Sequence, residues 1–309
     1  MLILACAMWG LSFPAIKALA MVQAEVMPGS GTWFLSSATM VARFAIAAVI
    51  AGVIVLWRSG DFRFTRSEVW QGMGLGFFGG LGMLAQVDGL AHTEASTSAF
   101  LTQGTVFFIP VVKAVASRKL PVAREVLCCL LALAGIAVLS GFDWRRFHMG
   151  RGEWQTLVAA MLFTGHILWL ERPVFRGNDS LKASVLMFTI IAVLCLPLLW
   201  ATGGGAGEAV VLFKPVASWW LLAILVGPCT LMAFLWMNRW QPHVSAMTAG
   251  LIYCFEPVFA SVLAQFLPVW IGQVAGVGYE NESLTTTLLL GGGLILIANV
   301  LMQWPARTV

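Results

Sequence analysis

Ten runs of about 20 mostly apolar residues follow one another along the whole chain, divided by short breaks rich in charge, glycine or proline. They fall near 1–22, 33–57, 69–90, 94–116, 122–141, 153–173, 182–201, 218–239, 243–267 and 285–304. A helix rises 1.5 Å per residue, so about 20 residues cross the roughly 30 Å hydrocarbon core of a bilayer. Inside hydrocarbon the backbone must satisfy its own hydrogen bonds, so single runs of this length fold as helices. Hydrophobic residues make up 60% of the 309 positions and charged ones 10%, more apolar surface than a soluble domain of this size hides. The expected fold is an all-α integral membrane protein with ten transmembrane helices and no soluble domain.

The remaining composition signals fit that reading. The net charge of +4 comes from Lys and Arg in short loops, which is an orientation signal and not a nucleic-acid-binding face. With the N-terminus inside, the inner connections hold eleven Lys and Arg, from Arg58, Arg63 and Arg66 to Arg118, Arg172, Arg239 and Arg307. The outer ones hold four: Arg145, Arg146, Arg151 and Lys214. That asymmetry places both termini inside, although the central loop Asp143–His148 runs against the rule. All six cysteines lie within apolar segments, which argues against a disulfide framework or a zinc site. Residues 1–20 lack the basic start of a signal peptide and carry Lys17, so the first segment reads as a retained helix.

Two halves echo each other. Ala99-Phe100-Leu101 precedes Pro110 at the distance by which Ala246-Met247-Thr248 precedes Pro257, and Leu120-Pro121 and Leu267-Pro268 keep that register. The division is 1–141 for the first repeat, 142–152 for a connecting loop and 153–305 for the second repeat, with an insertion near 269–283. Five helices per repeat is an odd number, so the second copy enters the membrane upside down. Inverted repeats place a substrate site near the midplane between them. The insertion, with Glu280 and Glu282, is expected outside, over the cavity mouth or at a subunit contact.

At this point the chain resembles the EamA branch of the drug/metabolite transporter superfamily. The resemblance rests on Trp9-Gly10 followed by Lys17, on Ala42-Arg43-Phe44-Ala45, and on Thr93–Leu101 leading to Pro110. It continues with Gly152-Glu153, His166-Ile167 and Phe255-Glu256-Pro257-Val258-Phe259-Ala260. It implies two inverted EamA repeats, alternating access, and a central cavity lined by helices 1–4 and 6–9. The chain departs from the family where Gly-Glu often follows the fourth and ninth helices: here stand Ser117-Arg118-Lys119 and Gln265-Phe266-Leu267.

Ionisable groups in mid-membrane cost roughly 2.5–3.5 kcal/mol on insertion scales, so their presence needs a reason. Arg43 and Glu256 fall near the centres of the second and ninth helices, His166 near the middle of the sixth, and Lys17 toward the outer end of the first. As a site they suit a zwitterionic or charged solute, with Glu256 a candidate proton carrier. The structural alternative is a buried Arg43–Glu256 pair and an outward-reaching Lys17. Trp9, Gln86, Gln103, Trp236, Asn238 and Tyr253 add aromatic and amide groups to the candidate substrate site. Pro14, Pro110, Pro228 and Pro257 each free a carbonyl and are expected to bend helices 1, 4, 8 and 9. Gly74–Gly79 matches a dinucleotide pattern but has no preceding strand, whereas Gly72, Gly76 and Gly80 make small-residue steps for helix packing.

The functional expectation is a small-solute transporter moving an amino acid or similar polar metabolite, as an exporter, across the bacterial inner membrane. The rival within transport is an exporter of lipophilic or cationic toxic compounds. The rival of another class is a lipid-modifying membrane enzyme. The four histidines are scattered, however, and neither HExxH nor GxSxG occurs. No cofactor or metal is expected; the partners are solute, lipid, protons as a coupling ion, and a second copy if the chain is a homodimer.

Overall fold

The computed structural model describes residues 1–93, 95–142, 145, 149–203, 205–283 and 286–304. Among them 82% of the chain is helical and no strand occurs. Asp143, Trp144, Arg146 and His148 of the connecting loop, Glu94, and the tail with Arg307 lie outside the described residues.

The first half runs α1 (Leu2–Val26), α2 (Thr32–Ser59), α3 (Arg66–Ala91), α4 (Ala95–Thr102), α5 (Thr105–Ser117) and α6 (Ala123–Leu139). The second half begins with α7 (Arg151–Leu170), α8 (Ser180–Gly203), the short α9 (Ala206–Val211), α10 (Val216–Val226) and α11 (Ala233–Trp240). It ends with α12 (Ala246–Tyr253), α13 (Phe255–Leu263), α14 (Leu267–Ala275) and α15 (Thr286–Gln303). Six stretches are long and apolar enough to cross a membrane: Leu2–Val26, Thr32–Ser59, Phe100–Ser117, Ser180–Gly203, Val216–His243 and Ala246–Leu263. Their outward faces stay apolar. On α2, Val49, Ile50, Val53, Ile54 and Trp57 are all exposed, a stripe that water would not tolerate and lipid does. The protein is membrane-embedded.

Local sequence sets the ends and breaks of these helices. Thr65 and Glu68 start α3 with reciprocal bonds: Thr65 Oγ1 accepts from the Glu68 N–H at 3.2 Å, and Glu68 Oε2 from the Thr65 N–H at 2.7 Å. Gly60, at φ 63°, ends α2 in the left-handed conformation that glycine takes without strain. Pro14 and Pro110 sit inside α1 and α5, and the interruption between α4 and α5 stands at Gln103-Gly104, upstream of Pro110. Pro228 lies in a π-helical turn, Gly227–Met232, between α10 and α11. The helix breaks between α12 and α13 at Cys254, three residues before Pro257.

Packing brings distant segments together. The main core joins α2, α8 and α11 through Phe34, Phe44, Phe188 and Phe234. A second joins α6 and α15 through Cys128, Ala132, Ile136, Ile295 and Ala298. The small-residue steps of α3 meet α8: a Cβ added at Gly72 would stand 2.4 Å from Leu186 Cβ, and one at Gly76 2.6 Å from Ile190 Cβ. Both are far inside contact distance, so these backbones approach only because no side chain intervenes. Gly135 and Gly291 bring α6 and α15 together in the same way, each aimed at the other's carbonyl. The insertion is partly helical. Within α14 and the turn after it, Ile271 and Val277 are buried against Leu19 of α1 and Leu221 and Leu225 of α10. Glu282 N–H donates to Ala264 O at 2.9 Å, which ties the loop back to the end of α13.

Candidate functional site

The ionisable residues of the sequence reading do not converge on one another. Arg43 is buried, 6% exposed, and reaches from α2 to the π turn between α10 and α11. Its Nη2 donates to Cys229 O at 2.9 Å and its Nε donates to Thr230 Oγ1. Thr230 Oγ1 in turn donates to Leu225 O at 2.8 Å. The π register explains this reach. Ala233 N–H bonds to Pro228 O, five residues back, and so bypasses the Cys229 carbonyl it would take in an α-helix. The Arg43 guanidinium occupies that position, with the Phe44 ring 5.4 Å away. No carboxylate of the described residues lies within ion-pair distance of it. The Arg43–Glu256 pair considered from sequence does not form.

Glu256 stands in the first turn of α13, immediately after the break at Cys254. A carboxylate there meets the positive end of the helix dipole. It is partly buried and has no hydrogen-bond or ion-pair partner among the described residues. Pro257 lacks an N–H, so the Tyr253 carbonyl loses its usual donor one residue from Glu256's own turn. The two helices that meet at this break, α12 and α13, pack against α1, and Cys6 Sγ donates to Ile252 O at 3.4 Å. Gly10 makes this contact close, since a Cβ there would meet the Ala260 N and Phe259 Cβ, each at 2.8 Å.

Aromatic rings fill the space between. Trp9 meets Phe234 edge-on at 5.4 Å and Tyr253 at 5.5 Å, and Phe234 continues to Phe44 at 6.2 Å and Phe188 at 6.1 Å. The Trp9 indole N–H is buried without an acceptor. Tyr253 Oη donates to Gln241 Oε1 at 2.7 Å, and Gln241 Nε2 donates to Ile167 O at 2.8 Å, joining three spans through one buried amide. Around this cluster, Asn238 Nδ2 donates to Ser184 Oγ at 2.8 Å and its Oδ1 is left without a partner. His166 Nδ1 bonds with Leu75 O at 3.1 Å while its buried Nε2 has none.

Other candidates lie apart. Lys17 is exposed and sits 5.1 Å over the Tyr279 ring, so it belongs to the end of the bundle covered by the insertion. There burial, and then the Glu282 charge, hold the Tyr279 phenol above its ordinary pKa, so the ring under Lys17 is neutral. Gln86 Nε2 donates to Thr102 Oγ1 at 3.3 Å, beside buried Gln103 at the break in the fourth span. Trp236 is partly buried and has no ring partner among the described residues.

Sequence reasoning passed over several participants. Cys229 and Thr230 receive Arg43, and Gln241 receives Tyr253. Cys229 and Thr230 are adjacent small residues within an apolar run and Gln241 stands at the polar end of its helix; only Thr230, two residues after Pro228, carried a usable signal. Two ionic ties near the span ends were also missed. At one end Arg151 Nη2 reaches Asp88 Oδ2 at 2.6 Å, Asp88 being 1% exposed, and Gln155 Nε2 donates to the same oxygen. At the other, Glu171 Oε1 accepts from Lys113 Nζ at 2.8 Å and from the Ala246 N–H at 2.9 Å.

No family model and no curated protein matches the chain. Twenty-eight chains of solved structures do match. One of them, described as "Crystal structure of protein", aligns over 96% of this chain and 97% of its own with a TM-score of 0.61 at 18% identity. At that identity the likeness is one of fold, and it runs nearly end to end.

Proposed function

We propose that the chain is a multi-pass transporter of the bacterial inner membrane, of EamA type, built from ten spans in two inverted repeats and exporting a small polar metabolite that bears an amino group. The repeat reading draws support from the packing. If spans one to five exchange with six to ten, α3 on α7 becomes α10 and α11 on α1, and α4 and α5 on α7 become α12 and α13 on α1; all these pairs occur. The pairs α2 on α8 and α6 on α15 map onto themselves. Both kinds of pair are what two halves related by a two-fold axis would give.

The observation that carries the transport reading is Glu256, an unpartnered carboxylate in mid-span beside a helix break and an aromatic cluster. A carboxylate left unpaired at a bilayer midplane is costly unless something that comes and goes completes it. A substrate ammonium or a proton does so. Trp9 Nε1 offers an unengaged donor for a substrate carboxylate, and the ties of Asp88 with Arg151 and of Lys113 with Glu171 join spans at opposite ends, where gates would act.

The second reading, export of lipophilic cations, gains from one fact: Arg43 is committed to Cys229 and Thr230 and leaves the acidic Glu256 as the free charge. Uptake into proteoliposomes separates the two. Saturable uptake of amino acids with competition among them supports the first; uptake of hydrophobic cations with none of any amino acid replaces it with the second.

A further inference from the structure

A groove of about 580 Å³ opens where α3 begins and α7 ends, and its chemistry is unlike that of the central cluster. Its walls are Trp70, Trp169, Val174 and Phe175, and Arg66 and Arg172 flank it. Both arginines are exposed, and Arg172 stacks over the Trp169 ring at 4.5 Å. Neither has a carboxylate within ion-pair distance among the described residues.

The nearby acids are engaged elsewhere. Glu68 accepts from the Thr65 N–H and the Asp179 N–H, Asp179 accepts from the Leu181 N–H, and Glu171 is held by Lys113 and the Ala246 N–H. The groove therefore presents two cations without an ion-pair partner among the described residues above an apolar trough. It also sits at the ends of two helices whose exposed Trp70 marks the level of the interface. Arg176 and Lys182 add positive charge at the same end, where Arg63 is paired with Asp61 at 3.7 Å and Lys182 Nζ reaches Arg63 O at 2.7 Å.

We propose that this groove binds one anionic phospholipid, its phosphate between Arg66 and Arg172 and an acyl chain along Trp70 and Phe175. A guanidinium is suited to phosphate through its paired N–H donors, and basic pockets between helices at the cytoplasmic leaflet hold such headgroups. The inference rests on the membrane-embedded fold and is independent of transport.

Native mass spectrometry of the detergent-solubilised protein tests it, with dioleoyl phosphatidylglycerol, dioleoyl phosphatidylcholine and glycerol 1-phosphate as probes. One phosphatidylglycerol should be retained, with at least about tenfold preference over phosphatidylcholine, and the soluble headgroup should not compete at equal concentration. The R66Q/R172Q double variant should lose that preference by about tenfold or more, taking a few-fold per cation removed. R66K/R172K keeps the charge and should keep most of the preference, which separates loss of charge from loss of fold. Equal retention of the two lipids, unchanged preference in the double Gln variant, or retention of glycerol 1-phosphate as tight as that of the lipid would each overturn the proposal.

Discussion

Arg43 Nη2 donates to the carbonyl oxygen of Cys229 across 2.9 Å and 186 positions of sequence, and so ties α2 to the π turn between α10 and α11. The guanidinium completes a backbone that Pro228 has thrown out of register. It fixes helix geometry and does not neutralise Glu256.

A double-mutant cycle checks that assignment. Hydrogen bonds from a charged group are worth about 1.5–3 kcal/mol, so R43Q and T230V should each destabilise, and contacting residues couple by roughly 0.5–3 kcal/mol. R43Q with E256Q should be additive within about 0.5 kcal/mol. All six cysteines are free and buried, so their reaction with a thiol dye on heating reports unfolding. Coupling to Glu256 larger than coupling to Thr230 would restore the ion pair that the structure lacks.

Tyr253→Phe removes the donor to Gln241 while keeping the ring against Trp9. The buried amide oxygen loses its partner, at a cost of about 1–3 kcal/mol, and the melting temperature should fall. An unchanged melting temperature would mean that Gln241 finds another donor.

Gly76→Ala places a methyl group where Ile190 Cβ stands 2.6 Å away. Overpacking of this kind costs about 1–3 kcal/mol, so the variant should melt lower than wild type, and Gly293→Ala, which meets nothing within 4 Å, should not.

Orientation is checked with single cysteines and an impermeant thiol reagent. Glu280→Cys should label from outside in intact cells, and Arg63→Cys and Arg118→Cys only after permeabilisation. Labelling of Arg63→Cys from outside would invert the topology, and with it the leaflet of the proposed lipid.

Much of the helical layout was legible because apolar run length and the bilayer dictate it. The run near 33–57 becomes Thr32–Ser59 and that near 182–201 becomes Ser180–Gly203. The small-residue steps at Gly72 and Gly76 were legible for a similar reason, since nothing but close packing uses them. Break positions were not. Proline marks a missing donor, but the chain interrupts at Gln103-Gly104 and Cys254, upstream of Pro110 and Pro257. Partnership was illegible too: Arg43 and Glu256 share a depth, but side-chain reach and the π register send Arg43 to Cys229. Asp88 and Lys113 lie within predicted runs, and depth alone did not reveal that each pairs near a span end.

The most direct test of the account is transport by Glu256→Gln, which keeps the shape and removes the charge. Proteoliposome uptake of an amine-bearing substrate is compared with wild type across pH, at matched protein incorporation and melting temperature. The account predicts stability no lower than wild type, since Glu256 has no protein partner to lose and its unpaired charge is costly, with uptake reduced at least tenfold and its pH dependence abolished. Full uptake by the Gln variant with an unchanged pH profile would contradict it.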